Sequence, residues 1–171
     1  MAPTDQDTAL TIHNKARTEK HLQPLHWDPN LASQATKYAQ HLAQISELQH
    51  SAGSARPGQG ENLYGTSSSH TPLADGARAW IGEGVRYHHE KIGEGDFGSY
   101  GHYSESCFWW FFGAAAGTFV WMVLIWTACL AQCMWKSTTH VGMGEAKGAN
   151  GWIWVVGRYS PEGNMLGQTP Y

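Results

Sequence analysis

Four ionisable side chains stand beside glycine or on an apolar stripe: His50 in QHSAG, Glu61 in GEN, Glu83 closing AWIGE, and His102 in GHY. Two neutral imidazoles and two carboxylates gathered in one place suit a divalent cation, because both groups are good ligands for zinc and its neighbours. The same four groups could instead form a buried, hydrogen-bonded polar cluster. In a metal-assisted hydrolase, His50 and His102 would hold the ion and Glu61 or Glu83 would serve as general base. Spacing alone brings none of them together. No close ligand pair of the HExxH kind is present, and scattered surface or capping positions are the plainer alternative.

Other candidates have weaker chemistry. His88 and His89, followed by Glu90, concentrate ligands in the chain, but neighbours on a helix or strand point in different directions and rarely share an ion. Ser104, Ser106 and Ser137 near His102 raise nucleophilic catalysis, yet no GxSxG turn accompanies them. Of nine tryptophans, Trp109, Trp110, Trp121 and Trp126 belong to one apolar block. Core packing accounts for the rest.

These residues need elements to position them. Thr4 to Lys20 offers Asp and Thr caps followed by Leu10, Ile12, His13, Ala16 and Arg17, which predicts a helix. Asp28 and Pro29 open a second, with Leu31, Ala35, Tyr38, Leu42 and Ile45 recurring at three- and four-residue steps. From His50 to Ser69 the Gly, Ser, Pro and Ala content predicts a long irregular connection, interrupted by the apolar pair Leu63 and Tyr64. Thr71 and Pro72 begin a third helix with Leu73, Ala77, Trp80 and Ile81 inside, and Glu83, three residues past Trp80, should face the buried side. Thr138 to Glu145 and Trp152 to Tyr159 predict two strands joined at AKGANG, where Asn150 and Gly151 supply positive φ. WIWVV is apolar on both alternating faces, so helices should cover the sheet on one or both sides. The tail from Ser160 to Tyr171 is turn-rich and should wrap the surface.

A chain of 171 residues suits one domain, 4–171, with a core that needs no metal or disulfide to hold it. A formal charge of −3 without a basic run offers nothing to neutralise phosphates, which argues against nucleic acid as partner. Three cysteines do not support a disulfide framework. The opening MAPTDQDTAL lacks a cationic segment followed by an apolar one, so no secretory signal is expected there, and position 2 is not the glycine of a myristoylation motif.

One stretch resists this scheme. From Cys107 to Ala131 no residue is charged. As a helix it would reach roughly 35 to 40 Å, enough to cross a hydrocarbon layer of about 30 Å. A single crossing would leave His102 and the three helices on one side and the Trp152 strand on the other, and one hydrophobic core cannot pack through a bilayer. An extruded hairpin or re-entrant loop avoids that separation but leaves many large apolar side chains to hide from water. Membrane contact through Cys107–Ala131 is thus one expectation, with a membrane-anchored interaction protein as the function it would serve.

ALTIHNKAR, LHWDPNLASQATKYAQHLA, QHS, GENLYG, AWIGE, GHY, MWKST, VGMG and YSPEGN occur in an order that resembles the CAP superfamily, also called the SCP or pathogenesis-related protein 1 family. The resemblance covers nearly everything except the insertion at 105–131. It implies an α+β fold, an α–β–α sandwich with a surface cleft. It also implies that His50, Glu61, Glu83 and His102 meet as a cleft tetrad, with His50 and His102 able to bind a divalent metal, zinc above all. Fungal and related members are similar to secreted sterol- and fatty-acid-binding proteins. The resemblance therefore points to a non-enzymatic, extracellular binding module for a small lipid or sterol, with no catalytic residue assigned.

Departures from the pattern matter too. Many relatives read CGHY and VGCG, where this chain has Tyr100 and Met143, so the usual disulfide cannot form there. Relatives also pass from GHY through two residues, commonly Thr-Gln, into a short apolar stretch and Trp-Lys. Here the apolar block intervenes. Ser104-Glu105-Ser106 can be encoded with a GTGAGT splice donor and Leu130-Ala131 with a TAG acceptor, and removal of the sequence between them, a multiple of three, restores GHYTQCMWKST. A translated, unspliced intron is the second expectation for the block.

Overall fold

A computed structural model of the chain describes residues 2–87, 91–92 and 126–171. His88, His89, Glu90, His102, Ser104, Ser106 and residues 107–125 of the apolar block lie outside the described residues.

The first helix, α1, spans Asp5–Glu19 and starts as its caps predict: Thr4 Oγ accepts from Asp7 N–H, and the Asp7 carboxylate accepts from Thr4 N–H. β1 is two residues, His26–Trp27. α2, Pro29–Ile45, is capped by the Asp28 carboxylate on Asn30 and Leu31 N–H, with Pro29 in its first turn. It ends at Ser46 in the left-handed region (φ 56°). α3 spans Pro72–Gly82, but Thr71 makes no side-chain cap. The cap comes from α1 instead: the two Asp5 carboxylate oxygens accept from Leu73 and Ala74 N–H at 2.9 and 3.0 Å. A negative charge there also meets the positive end of the helix dipole.

The expected irregular connection from His50 to Ser69 is not irregular throughout. Gly60–Thr66 forms β2, paired antiparallel with the last strand. Two of its residues are glycine, and Glu61 and Asn62 are also poor strand formers, so its strand character comes from the partner rather than from local propensity. β3, His140–Lys147, and β4, Ile153–Ser160, form the expected hairpin. At its turn only Gly151 takes positive φ (84°), whereas Asn150 contributes its side-chain oxygen, which accepts from Trp152 N–H. The sheet order is β1-β3-β4-β2, with β1 parallel to β3 and the other pairs antiparallel.

Helices cover both faces. α2 lies on one, where Ala35, Ala39 and Leu42 pack with Trp154 and Val156. α1 and α3 lie on the other, with Ala9, Ala77 and Trp80 against Val141, Met143, Val155 and Tyr159. β4 is therefore buried on both sides from Trp154 to Tyr159, which the WIWVV run predicts as far as Val156. Trp152, before the strand, stays exposed. Gly142 and Gly144 face α2 so closely that a Cβ at the first would overlap the backbone of Asp28, Leu31 and Ala32, and at the second that of Thr36.

The described end of the apolar block is domain core. Trp126–Cys133 forms a fourth helix, α4, in which Cys129, Leu130, Ala131 and Cys133 are buried in the layer with α1 and α3. Among the described residues no helix is long and apolar enough to cross a membrane. The segment after α4 is held by Arg17, fully buried, whose guanidinium donates to the carbonyls of Gln23, Cys133, Trp135 and Thr138 at 2.7 to 3.1 Å. These carbonyl dipoles stabilise a cation that burial alone would disfavour. The tail returns to the core: Gly163 N–H donates to Gln132 Oε1, and Lys136 N–H to the Pro170 carbonyl.

Candidate functional site

Strand alternation in β2 sends Glu61 and Asn62 to opposite faces. Glu61 sits opposite Arg158 in the β2–β4 register, and its carboxylate is fully buried. Oε1 accepts from Ser51 N–H at 2.9 Å and from His50 Nδ1 at 2.8 Å. Oε2 accepts from Ser51 Oγ at 2.9 Å and pairs with Arg158 at 2.9 Å. Burial acts to raise the Glu61 pKa, but the His50 contact, the Arg158 charge and the Ser51 amide together hold it below its ordinary value. The carboxylate is thus ionised and its acceptor positions are filled.

His50 is the solvent-facing partner of this pair. Its Nδ1 is tied to Glu61, its side chain is 39% exposed, and Nε2 has no hydrogen-bond partner among the described residues. It opens onto a cleft of about 500 Å³ between α2 and the loop that follows it, where Lys37, Tyr38, His41, Ser51 and Arg158 also line the wall. Tyr38 donates its hydroxyl to the Gln49 carbonyl at 2.7 Å. Burial, with the Glu61 charge behind it, pushes its phenol up to about 12, so it remains a donor. Lys37 and Arg158 make the lining cationic, while apolar atoms cover more of its wall than polar ones.

On the opposite side of β2 the chemistry is different. Asn62 donates through Nδ2 to the Cys129 carbonyl at 2.9 Å and lies 3.3 Å from Cys133 Sγ. Tyr159 OH, 2.8 Å from His13 Nε2, and His13 Nδ1, 2.9 Å from the Ala9 carbonyl, complete a buried polar network. Burial pushes the Cys133 thiol up to about 12, which makes it an inert core group rather than a nucleophile. Glu83 is buried as its spacing predicts, just past the end of α3, and its Oε2 accepts from Leu130 N–H at 3.1 Å. Two of the four tetrad candidates, His50 and Glu61, therefore touch; Glu83 also holds the Leu130 amide, and His102 lies outside the described residues. Among the described residues no three histidine, cysteine, aspartate or glutamate side chains form an ion-binding group. Ser137 is exposed in the turn after α4.

Sequence reasoning does not single out Ser51, Arg158 or Tyr38. Ser51 adjoins His50 and is within its reach, but Arg158 is recognisable only once β2 is known to pair with β4.

The comparisons agree with this geometry. Residues 10–159 match the model of the cysteine-rich secretory protein (CAP) family. Pathogenesis-related protein 1B of Nicotiana tabacum is 29% identical over 170 residues, 99% of this chain and 83% of the relative. Golgi-associated plant pathogenesis-related protein 1 of Homo sapiens is 30% identical over 159 residues, 93% of this chain and 84% of the relative. The crystal structure of NaASP2 with Zn2+ superposes with TM-score 0.68 at 19% identity, over 100% of this chain and 86% of that one. Na-ASP-1 gives 0.69 at 20% identity, and this chain spans 42% of its length. With the sandwich, the QHS–GEN contact and the family match in agreement, the chain belongs to the CAP (cysteine-rich secretory protein) family.

Proposed function

We propose that this chain is a non-enzymatic, extracellular CAP-type binding module that holds a divalent ion at its His50 cleft and takes a small lipid or sterol as its apolar ligand. One observation carries the ion: Glu61 fixes the Nδ1 side of His50 at 2.8 Å, and no hydrogen bond among the described residues engages Nε2 of this half-exposed ring, which lines the cleft. Metal-bound histidines donate their other ring N–H to a carboxylate in this way, which sets the tautomer and raises the basicity of the ligating nitrogen. His50 as ligand and Glu61 as its orienting partner suit a zinc-class ion, and family resemblance supplies His102, outside the described residues, as the second histidine. The NaASP2 crystal structure with Zn2+ supports the same reading.

The filled acceptor positions of Glu61 favour binding over hydrolysis, since a general base needs a free oxygen within reach of the proton it removes. The lipid or sterol rests on family kinship, and the extracellular site of action on kinship to secretory proteins. Zinc titration of the full chain should show a site weakened by His50→Ala, and a fluorescent sterol or fatty acid should bind in the same preparation. Unchanged zinc affinity in His50→Ala would sink the ion reading. Peptide or ester hydrolysis that needs zinc and is lost in Glu61→Gln would replace it with the hydrolase.

A further inference from the structure

We infer that His26 and His140 form a second site, on the sheet edge, for a transition-metal ion of the zinc, nickel and copper class. Nothing in the cleft chemistry uses them. The two residues are register partners in the parallel β1–β3 pair, both are exposed, and their ring centres lie 5.9 Å apart with planes at 47°. An ion about 2.0–2.1 Å from one nitrogen of each imidazole places the two ring centres roughly 5 to 6.5 Å apart, for ligand angles from tetrahedral to linear. The observed separation falls inside that interval without any backbone movement.

Thr139 holds the His26 backbone and the His140 ring. Its carbonyl accepts from His26 N–H at 2.9 Å and so fixes the β1 side of the pair. Its hydroxyl lies 2.8 Å from His140 Nδ1 and 3.4 Å from the Ser160 carbonyl. In the Nδ1–H tautomer of His140 the threonine oxygen accepts from the ring and its hydroxyl proton turns to Ser160, which satisfies both contacts. That assignment leaves the His140 Nε2 lone pair open, and no hydrogen bond among the described residues engages it or the His26 ring. An oriented, outer-bonded imidazole beside a second exposed imidazole suits nickel, copper or zinc rather than magnesium or calcium, which prefer oxygen. Water completes the coordination. Bound there, the ion ties the two-residue edge strand β1 to β3.

Isothermal titration of the full chain with Ni2+ tests the assignment. Loss of an outer-shell partner costs about 10–100-fold in metal affinity, so loss of a ligand should cost at least about tenfold. His26→Ala and His140→Ala should each weaken nickel binding by at least that factor and to the same extent, while Thr139→Val weakens it about tenfold. Cu2+ should bind more tightly than Ni2+, and Mg2+ should not compete. Metal-free melting curves of these exposed-site variants check that they fold. Wild-type nickel affinity in either histidine variant overturns the site, and so does a nickel site lost in His50→Ala alone. A cleft that fails to bind zinc would leave this result unaffected.

Discussion

Acid should weaken this fold through one buried imidazole. His13 is fully buried between Ala9, Tyr159 and Trp80, and burial lowers its pKa from 6.5 to about 4. The unfolded chain therefore takes a proton at this position as pH falls through 6.5, while the folded chain does not until about 4. The stability that His13 contributes by staying neutral is complete above 6.5, declines across that window and levels off near 4. A window of two to three pH units at about 1.4 kcal/mol each corresponds to about 3 kcal/mol. Against a net stability of about 5–15 kcal/mol for a domain, that is a large fraction. Urea unfolding at intervals between pH 7.5 and 4 would measure it. In His13→Gln the amide can still donate to Ala9 and accept from Tyr159 but does not titrate, so the slope in the same window should flatten. Parallel slopes for wild type and His13→Gln would refute the reasoning, whatever the difference in their absolute stabilities.

Glu61→Ala should cost about 3–5 kcal/mol, because it leaves the Arg158 guanidinium, 4% exposed, without its counter-charge; chemical denaturation measures it, and Glu61→Ala/Arg158→Met should recover most of the loss. Arg17→Met should destabilise by about 2–4 kcal/mol by leaving the Gln23, Cys133 and Thr138 carbonyls without the guanidinium, while Trp135 keeps the Thr138 amide, with a loss below about 1 kcal/mol counting against the buried-cation account. Replacing residues 104–131 by one threonine puts His102 three positions before Gln132, where Cys129 now stands. That chain is expected to be soluble and to bind zinc more tightly than the full chain, and failure to fold would count against the insertion reading. Transcript reads continuous through the block would remove the intron itself.

Elements with their own local signals are legible in the sequence: the Thr4 and Asp28 caps, the α2 stripe from Leu31 to Leu42, the β3–β4 hairpin and the burial of Glu83. What escapes depends on distant partners. β2 has a weak local pattern because Glu61 and Asn62 are polar residues turned into two different buried networks, and only pairing with β4 makes it a strand. The α3 cap escapes because its carboxylate lies in α1, 68 and 69 residues from the two amides it holds. His50 and Glu61 can be nominated by type, and the resemblance brings them together, but the filled state of the Glu61 oxygens follows from Arg158 and Ser51. Sequence offers no sign that Arg17, on a helix face, is wholly enclosed.

The closeness of α2 to β3 at Gly142 and Gly144 has a mechanical meaning for the cleft. With no side chain as a spacer, helix and sheet meet skeleton to skeleton, and such a contact permits neither rolling nor sliding without collision. His50 follows α2 by only a few residues, so it shares the reference frame of the sheet that carries Glu61. Two absent methyl groups thereby act as a ruler, keeping the imidazole and its carboxylate at a constant spacing although they belong to different layers.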